Sequence, residues 1–100
     1  MVDYPPELEA AIARCVEWLE VEGIEDGVSS VDYAGATYIV CNGLVVDVVT
    51  QLELELHDPA AMAWVEARDG EGAPIPERAR RAVWEATEGR MCVEQAWVLP

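Results

Sequence analysis

Between residues 7 and 22 the apolar side chains recur with the period of a helix. Leu8, Ile12, Cys15 and Leu19 stand at spacings of four, three and four, which places them on one helical face. Ala11 and Val16 flank that stripe, Trp18 sits at its edge, and Glu9, Glu17 and Glu20 fall on the opposite face. Pro5 and Pro6 precede the pattern and Gly23 follows it as a C-cap residue, so a helix is predicted from about Glu7 to Glu22. Residues 24–32 read as a loop leading into a strand. Asn42-Gly43 then lies between two strand-like runs, which is the chemistry of a two-residue type I′ hairpin turn.

After the turn the period changes to two. Leu44, Val46, Val48, Thr50, Leu52, Leu54 and Leu56 alternate with Val45, Asp47, Val49, Gln51, Glu53 and Glu55. This predicts one long strand, Leu44 to Leu56, with its even positions facing the core. A two-residue turn fixes the pairing. Cys41 is expected opposite Leu44, Ile39 opposite Val46 and Thr37 opposite Val48 on the core face. Val40 is expected opposite Val45, Tyr38 opposite Asp47 and Ala36 opposite Val49 on the other. That outer face is then apolar near the turn and, beyond Gln51, acidic at Glu53 and Glu55. Its apolar half needs either cover from the same chain or a partner.

The second half reads as two helices and a strand. Asp58-Pro59 supplies an N-cap and a proline at N1, and a short helix follows to about Asp69, stopped by Gly70. Pro76 to Glu88 is the third helix, with Ala79, Val83 and Ala86 as its buried stripe and Glu77, Arg81 and Glu85 spaced for pairing along its surface. Arg80 stands one turn before Trp84, within reach of stacking on it. Met91 to Leu99 alternates as a last strand, with Trp97 expected in the core. The expected fold is a single α+β domain over residues 1–100. It has a small antiparallel sheet, made of the β-hairpin plus the C-terminal strand, and about three helices packed on one side, in the order α-β-β-α-α-β.

Composition supports a folded chain and then complicates its surface. At 52% apolar, one hundred residues can bury a core without staples. No apolar run reaches the length of a membrane span. Met1-Val2-Asp3-Tyr4-Pro5-Pro6 has neither a basic nor an apolar signal region, so a cytoplasmic location is expected. The three cysteines, an odd number, fit a reducing compartment. Charge is the loudest feature: twenty acids face six bases, all arginine, for a net charge of −14. It is also uneven, since residues 1–58 carry thirteen acids and one base, Arg14. Such a field repels nucleic acid and anionic membranes and attracts basic surfaces. The same composition is also that of a solubilising surface or of a GC-rich genome.

The candidate chemistry is sparse. His57 is the only histidine and reads as a strand-end residue beside the Asp58 cap. Cys15, Cys41 and Cys92 lack zinc-site spacing, and Cys15 and Cys41 fall on core faces. Glu53 and Glu55, about 7 Å apart on a strand, read as a solvated face rather than a cation site. Gly70-Glu-Gly is followed by no lysine of the kind a phosphate loop needs. No cofactor, metal or catalytic residue is expected, and direct nucleic-acid binding is disfavoured.

Surface character carries what remains. The expected function is non-catalytic binding to a basic, nucleic-acid-binding surface of a protein partner, with nucleic-acid mimicry as one form. Small acidic inhibitors encoded by phages and mobile elements, such as anti-restriction and anti-CRISPR proteins, are similar in size and charge, a likeness of composition that no motif carries. The acidic contact residues would be Glu9, Glu17, Glu20, Asp32, Asp47, Glu53 and Glu55. The apolar and aromatic ones would be Trp18, Tyr38, Val40, Val45, Val49 and Trp84. The alternative is a small structural protein that forms a homodimer through the apolar half of the hairpin face.

Overall fold

The structure is a computed structural model that describes residues 4–25, 27–67, 72–91, 93 and 95–97. Its elements are α1 (Pro6–Glu22), β1 (Val28–Tyr33), β2 (Ala36–Cys41), β3 (Leu44–Thr50), α2 (Gln51–His57), α3 (Pro59–Glu66), β4 (Gly72–Pro74), α4 (Glu77–Ala86) and β5 (Gln95–Trp97). This is a small α+β fold, as the sequence pattern implies.

Helix α1 follows its apolar stripe. Leu8, Ile12, Cys15 and Leu19 are all buried. Gly23 ends the helix in the left-handed region at φ 70°, and the Ile24 N–H reaches back to the Leu19 carbonyl at 2.9 Å, so the last orphan carbonyls find donors. The chain then turns back tightly over the helix end. A Cβ on Gly27 would lie 2.7 Å from Leu19 Cδ2, so a larger residue there would require the buried Leu19 side chain to shift.

β1, β2 and β3 form an antiparallel meander in that order. Part of the segment expected as a loop is therefore a strand, joined to β2 by a second tight turn. Ala34 and Gly35 have φ of 51° and 79°, and Asn42 and Gly43 have φ of 52° and 83°. Both turns thus have two central residues with positive φ, the type I′ arrangement that matches the twist of paired strands. Alanine carries a steric cost there that asparagine largely escapes. Ala34→Asn is therefore expected to stabilise the fold by about 1 kcal/mol, a rise of roughly 4–8 °C in Tm for a domain of this size. A thermal melt measures it, and an unchanged or lower Tm contradicts the turn geometry.

Register departs from the expected pairing one step beyond the Asn42-Gly43 turn. Cys41 pairs with Leu44 and Val40 with Val45, but a bulge at Ile39/Val40 then sets Ile39 opposite Asp47, Tyr38 opposite Val48 and Thr37 opposite Val49. The bulge reverses the parity of β3. Val49 becomes buried and Val48 is 48% exposed; Leu44, on the turn side of the bulge and still opposite Cys41, is nevertheless 58% exposed. Alternation misleads here because Leu44 to Val49 has apolar residues at both odd and even positions, so the pattern suits either register.

The strand also ends earlier than expected, at Thr50. Thr50 Oγ1 accepts the Glu53 N–H at 3.2 Å and starts α2, while the Gln51 N–H donates to the Gly35 carbonyl. Side chains two apart on a helix point to nearly opposite sides. Leu54 therefore goes inward and is 1% exposed, whereas Leu52 and Leu56 point out and are 64% exposed each. One residue later Asp58 Oδ1 accepts the Ala61 N–H at 3.1 Å and caps α3. α3 ends at Glu66, earlier than the expected Asp69: Ala67 is extended (φ −62°, ψ 137°) and its N–H donates to the Trp64 carbonyl, while Asp69 and Gly70 lie outside the described residues. In α4, Ala79 and Val83 are buried as expected, but Ala86 is exposed.

Two clusters hold the layers together. Leu8, Ile12 and Cys15 of α1 pack on Val31 and Val40, with Tyr4, Tyr33, Tyr38 and Val45 around them. Across the sheet, Val28, Ile39, Cys41 and Val49 pack against Leu54, Trp64, Val65, Ala79 and Val83 of α2, α3 and α4. Helices thus cover both faces rather than one. The C-terminal strand differs as well: β5 pairs with β4 in a separate two-stranded sheet rather than with the hairpin. Elsewhere in the expected strand, Met91 and the buried Val93 are described, whereas Cys92, Glu94, Val98, Leu99 and the side chain of Trp97 lie outside the described residues.

Candidate binding surfaces

The seven expected acidic contacts do not share one surface. Glu9, Glu17 and Glu20 are exposed on the outer side of α1, together with Glu7 and Glu22. Glu9 and Glu20 are three turns apart and nearly in line, about 16 Å along the axis, with Glu17 to one side. Asp32 is exposed on β1 and accepts the Thr37 hydroxyl at 2.9 Å. Glu55 is exposed on α2.

Asp47 and Glu53 are not free carboxylates. Arg78 Nε donates to Asp47 Oδ2 at 2.8 Å, and Arg78 Nη1 lies 3.6 Å from Glu53 Oε1. One arginine on α4 therefore ties β3 to the start of α2. Burial pulls the Arg78 guanidinium down, but Asp47 by hydrogen bond and charge, and Glu53 after it, outweigh burial and hold it above its ordinary value. The carboxylate row expected at Glu53 and Glu55 is corrected on two counts: the segment is helical, and Glu53 already has a partner.

The apolar set divides in a similar way. Tyr38, Val40 and Val45 lie beneath α1, with Val40 fully buried and Tyr38 meeting Tyr4 edge to face at 6.2 Å. Val49 packs on the opposite side of the sheet. The hairpin face offered for self-association is therefore covered by the chain's own first helix, and those four residues do not form a surface patch. Trp18 is half-buried on α1. Trp84 is 52% exposed on α4.

Among the described residues, two concavities that border α4 stand out. The larger, about 550 Å³, lies between β3, the α2–α3 junction and α4. The Asp47–Arg78 pair forms one side, His57 and Asp58 another, and Glu77, Arg81 and Glu85 run along the helix. His57 thus stands at the end of a helix facing a cleft of mixed charge, not at a strand end. Neither described cysteine lines the cleft: Cys15 and Cys41 are buried in separate clusters. Burial pushes the Cys15 thiol up, with Arg14 opposing, which is the reverse of what activates a nucleophile. Cys92 lies outside the described residues. Among the described residues no group of three His, Cys, Asp or Glu side chains could hold a metal ion.

The smaller groove, about 200 Å³, is lined by Trp84, Met91, Arg80, Arg81 and Glu77. The Trp84 indole lies over Gly89, where a Cβ would come within 3.0 Å of the ring. Arg80 and Arg81 both reach Glu77, at 3.8 and 3.5 Å, so the expected Glu77–Arg81 pairing is present. Such exposed pairs contribute little to stability.

Leu52 and Leu56 were not anticipated as surface residues. The available signal was Thr50-Gln-Leu-Glu53, which has the spacing of a capping box and marks a helix start inside the apparent strand. Comparison of the chain with protein-family models, with curated proteins and with solved structures finds no match. Among the described residues no helix is long and apolar enough to cross a membrane.

Proposed function

We propose that this chain is a non-catalytic binding protein whose acidic α1 face occupies a basic surface on a protein partner, in the manner of a small inhibitor. One observation carries the reading. Five glutamates are exposed along α1 with one arginine among them, whereas Arg78, Arg80, Arg81 and Arg90 each lie within 4.0 Å of a carboxylate. An anionic helix thus lies on one side of the sheet, while on the other side Arg78, Arg80 and Arg81 of α4 are each paired with a carboxylate. Such a face steers association with cations and speeds it most at low salt. The strand-borne form of nucleic-acid mimicry loses its row of carboxylates, so the helical face is the contact surface.

Glu9→Gln/Glu17→Gln/Glu20→Gln keeps the helix and removes three charges. A partner captured from the native host by the wild-type chain is expected to be lost, or held at least about ten-fold more weakly, by this variant. Undiminished capture contradicts the reading.

A further inference from the structure

Helix α2 presents two leucines to solvent at helical spacing. Leu52 and Leu56 are four residues apart and lie opposite the buried Leu54. Among the described residues the other large exposed apolar side chains make no such pair. Val21 ends α1, Leu44 and Val48 sit on opposite faces of β3, and Trp84 is on α4. On the adjoining α3, Pro59 and Ala63 are exposed while Ala61, Trp64 and Val65 are buried, so its outward side is small and apolar. Glu55 and Glu66 are exposed on these two helices, whereas Glu53 is already paired with Arg78. Residues 51–66 contain Glu53, Glu55, Asp58 and Glu66 and no lysine or arginine.

We infer that the outward side of α2 and α3 docks an amphipathic helix bearing lysines or arginines beside its apolar stripe. Leu52 and Leu56 contact the stripe, and Glu55 and Glu66 meet the flanking cations. Charge decides among the occupants. A second copy would set these glutamates against their own equivalents, and an anionic membrane surface would repel them. A cationic helix is the occupant that complements both the leucines and the acids. This surface lies across the sheet from α1, so it adds a second contact to the acidic face and stands or falls separately from it.

The test uses the full chain, isotope-labelled for NMR, and a synthetic lysine-leucine peptide of about four helical turns with its leucines on one face. A scrambled peptide of the same composition is the control. The expected result is shifts centred on Leu52, Leu56 and Ala63, with the amphipathic peptide bound at least about ten-fold more tightly than the scrambled one. Leu52→Ser/Leu56→Ser is expected to abolish that difference while leaving the spectrum elsewhere intact, because both side chains are exposed. Equal binding of the two peptides, or affinity unaffected by the serine pair, overturns the docking face and leaves the α1 reading standing. Concentration-dependent self-association through the leucine pair overturns it in favour of a second copy. Loss of binding by Glu9→Gln/Glu17→Gln/Glu20→Gln alone overturns it by placing the contact on α1.

Discussion

Leu54→Ala is expected to destabilise the fold by about 2–5 kcal/mol, whereas Leu52→Ala and Leu56→Ala stay within about 0.5 kcal/mol. The three leucines look equivalent in an alternating pattern, and the helix separates them. Leu54 is buried among Val49, Trp64, Val65, Ala79 and Val83 in one cluster, so truncation opens a cavity where the sheet meets three helices. Leu52 and Leu56 give up little burial, and alanine is a good helix former at exposed sites. A loss of this size is a large part of the stability of any small domain. Urea denaturation of the three variants measures it. Equal losses at all three positions contradict α2 and restore a strand with every even residue inside.

Trp64→Ala is expected to cost about 3–5 kcal/mol, and Trp64→Phe distinctly less. Trp64 is buried in the same cluster, and its indole N–H meets no acceptor among the described residues. Phenylalanine keeps most of the apolar contact and removes a buried unpaired donor, whose desolvation opposes folding by roughly 1–3 kcal/mol. Alanine removes the contact altogether. The same denaturation experiment orders the two variants. A phenylalanine variant as unstable as the alanine one means that the N–H has a partner and that its loss matters.

These two sites show which parts of the fold could be read from the chain. The α1 stripe, the Asn42-Gly43 turn and the Asp58-Pro59 cap were legible because each depends on local chemistry: a 3.6 period, positive φ at a two-residue turn, a carboxylate over an N-terminus. The Ala34-Gly35 turn was not, because alanine rarely takes the left-handed conformation found there. The β3 bulge was not, because Leu44-Val-Val-Asp-Val-Val49 has apolar residues on both parities, so the pattern suits either register. The strand-to-helix change at Thr50 was masked by alternating leucine and glutamate, which satisfies a strand template while hiding a helix with leucines on both sides.

The contact surfaces were legible in proportion. Exposure of Glu9, Glu17 and Glu20 follows directly from the α1 stripe. Pairing of Asp47 and Glu53 with Arg78 spans 31 positions for the hydrogen bond to Asp47 and depends on the bulge that turns Asp47 toward α4. The burial of Tyr38, Val40 and Val45 under α1 required knowing which side of the sheet the first helix covers.

The central claim is that exposed carboxylates on α1 bind a basic surface, and the dependence of partner affinity on salt tests it most directly. The logarithm of the association constant for the wild-type chain is expected to fall steeply as salt rises, because an ionic screening length of about 10 Å at 0.1 M shortens as ions are added. Glu9→Gln/Glu17→Gln/Glu20→Gln is expected to flatten that slope as well as lower the affinity. An affinity that stays the same from low to high salt, or a slope that the three substitutions leave unchanged, contradicts the account.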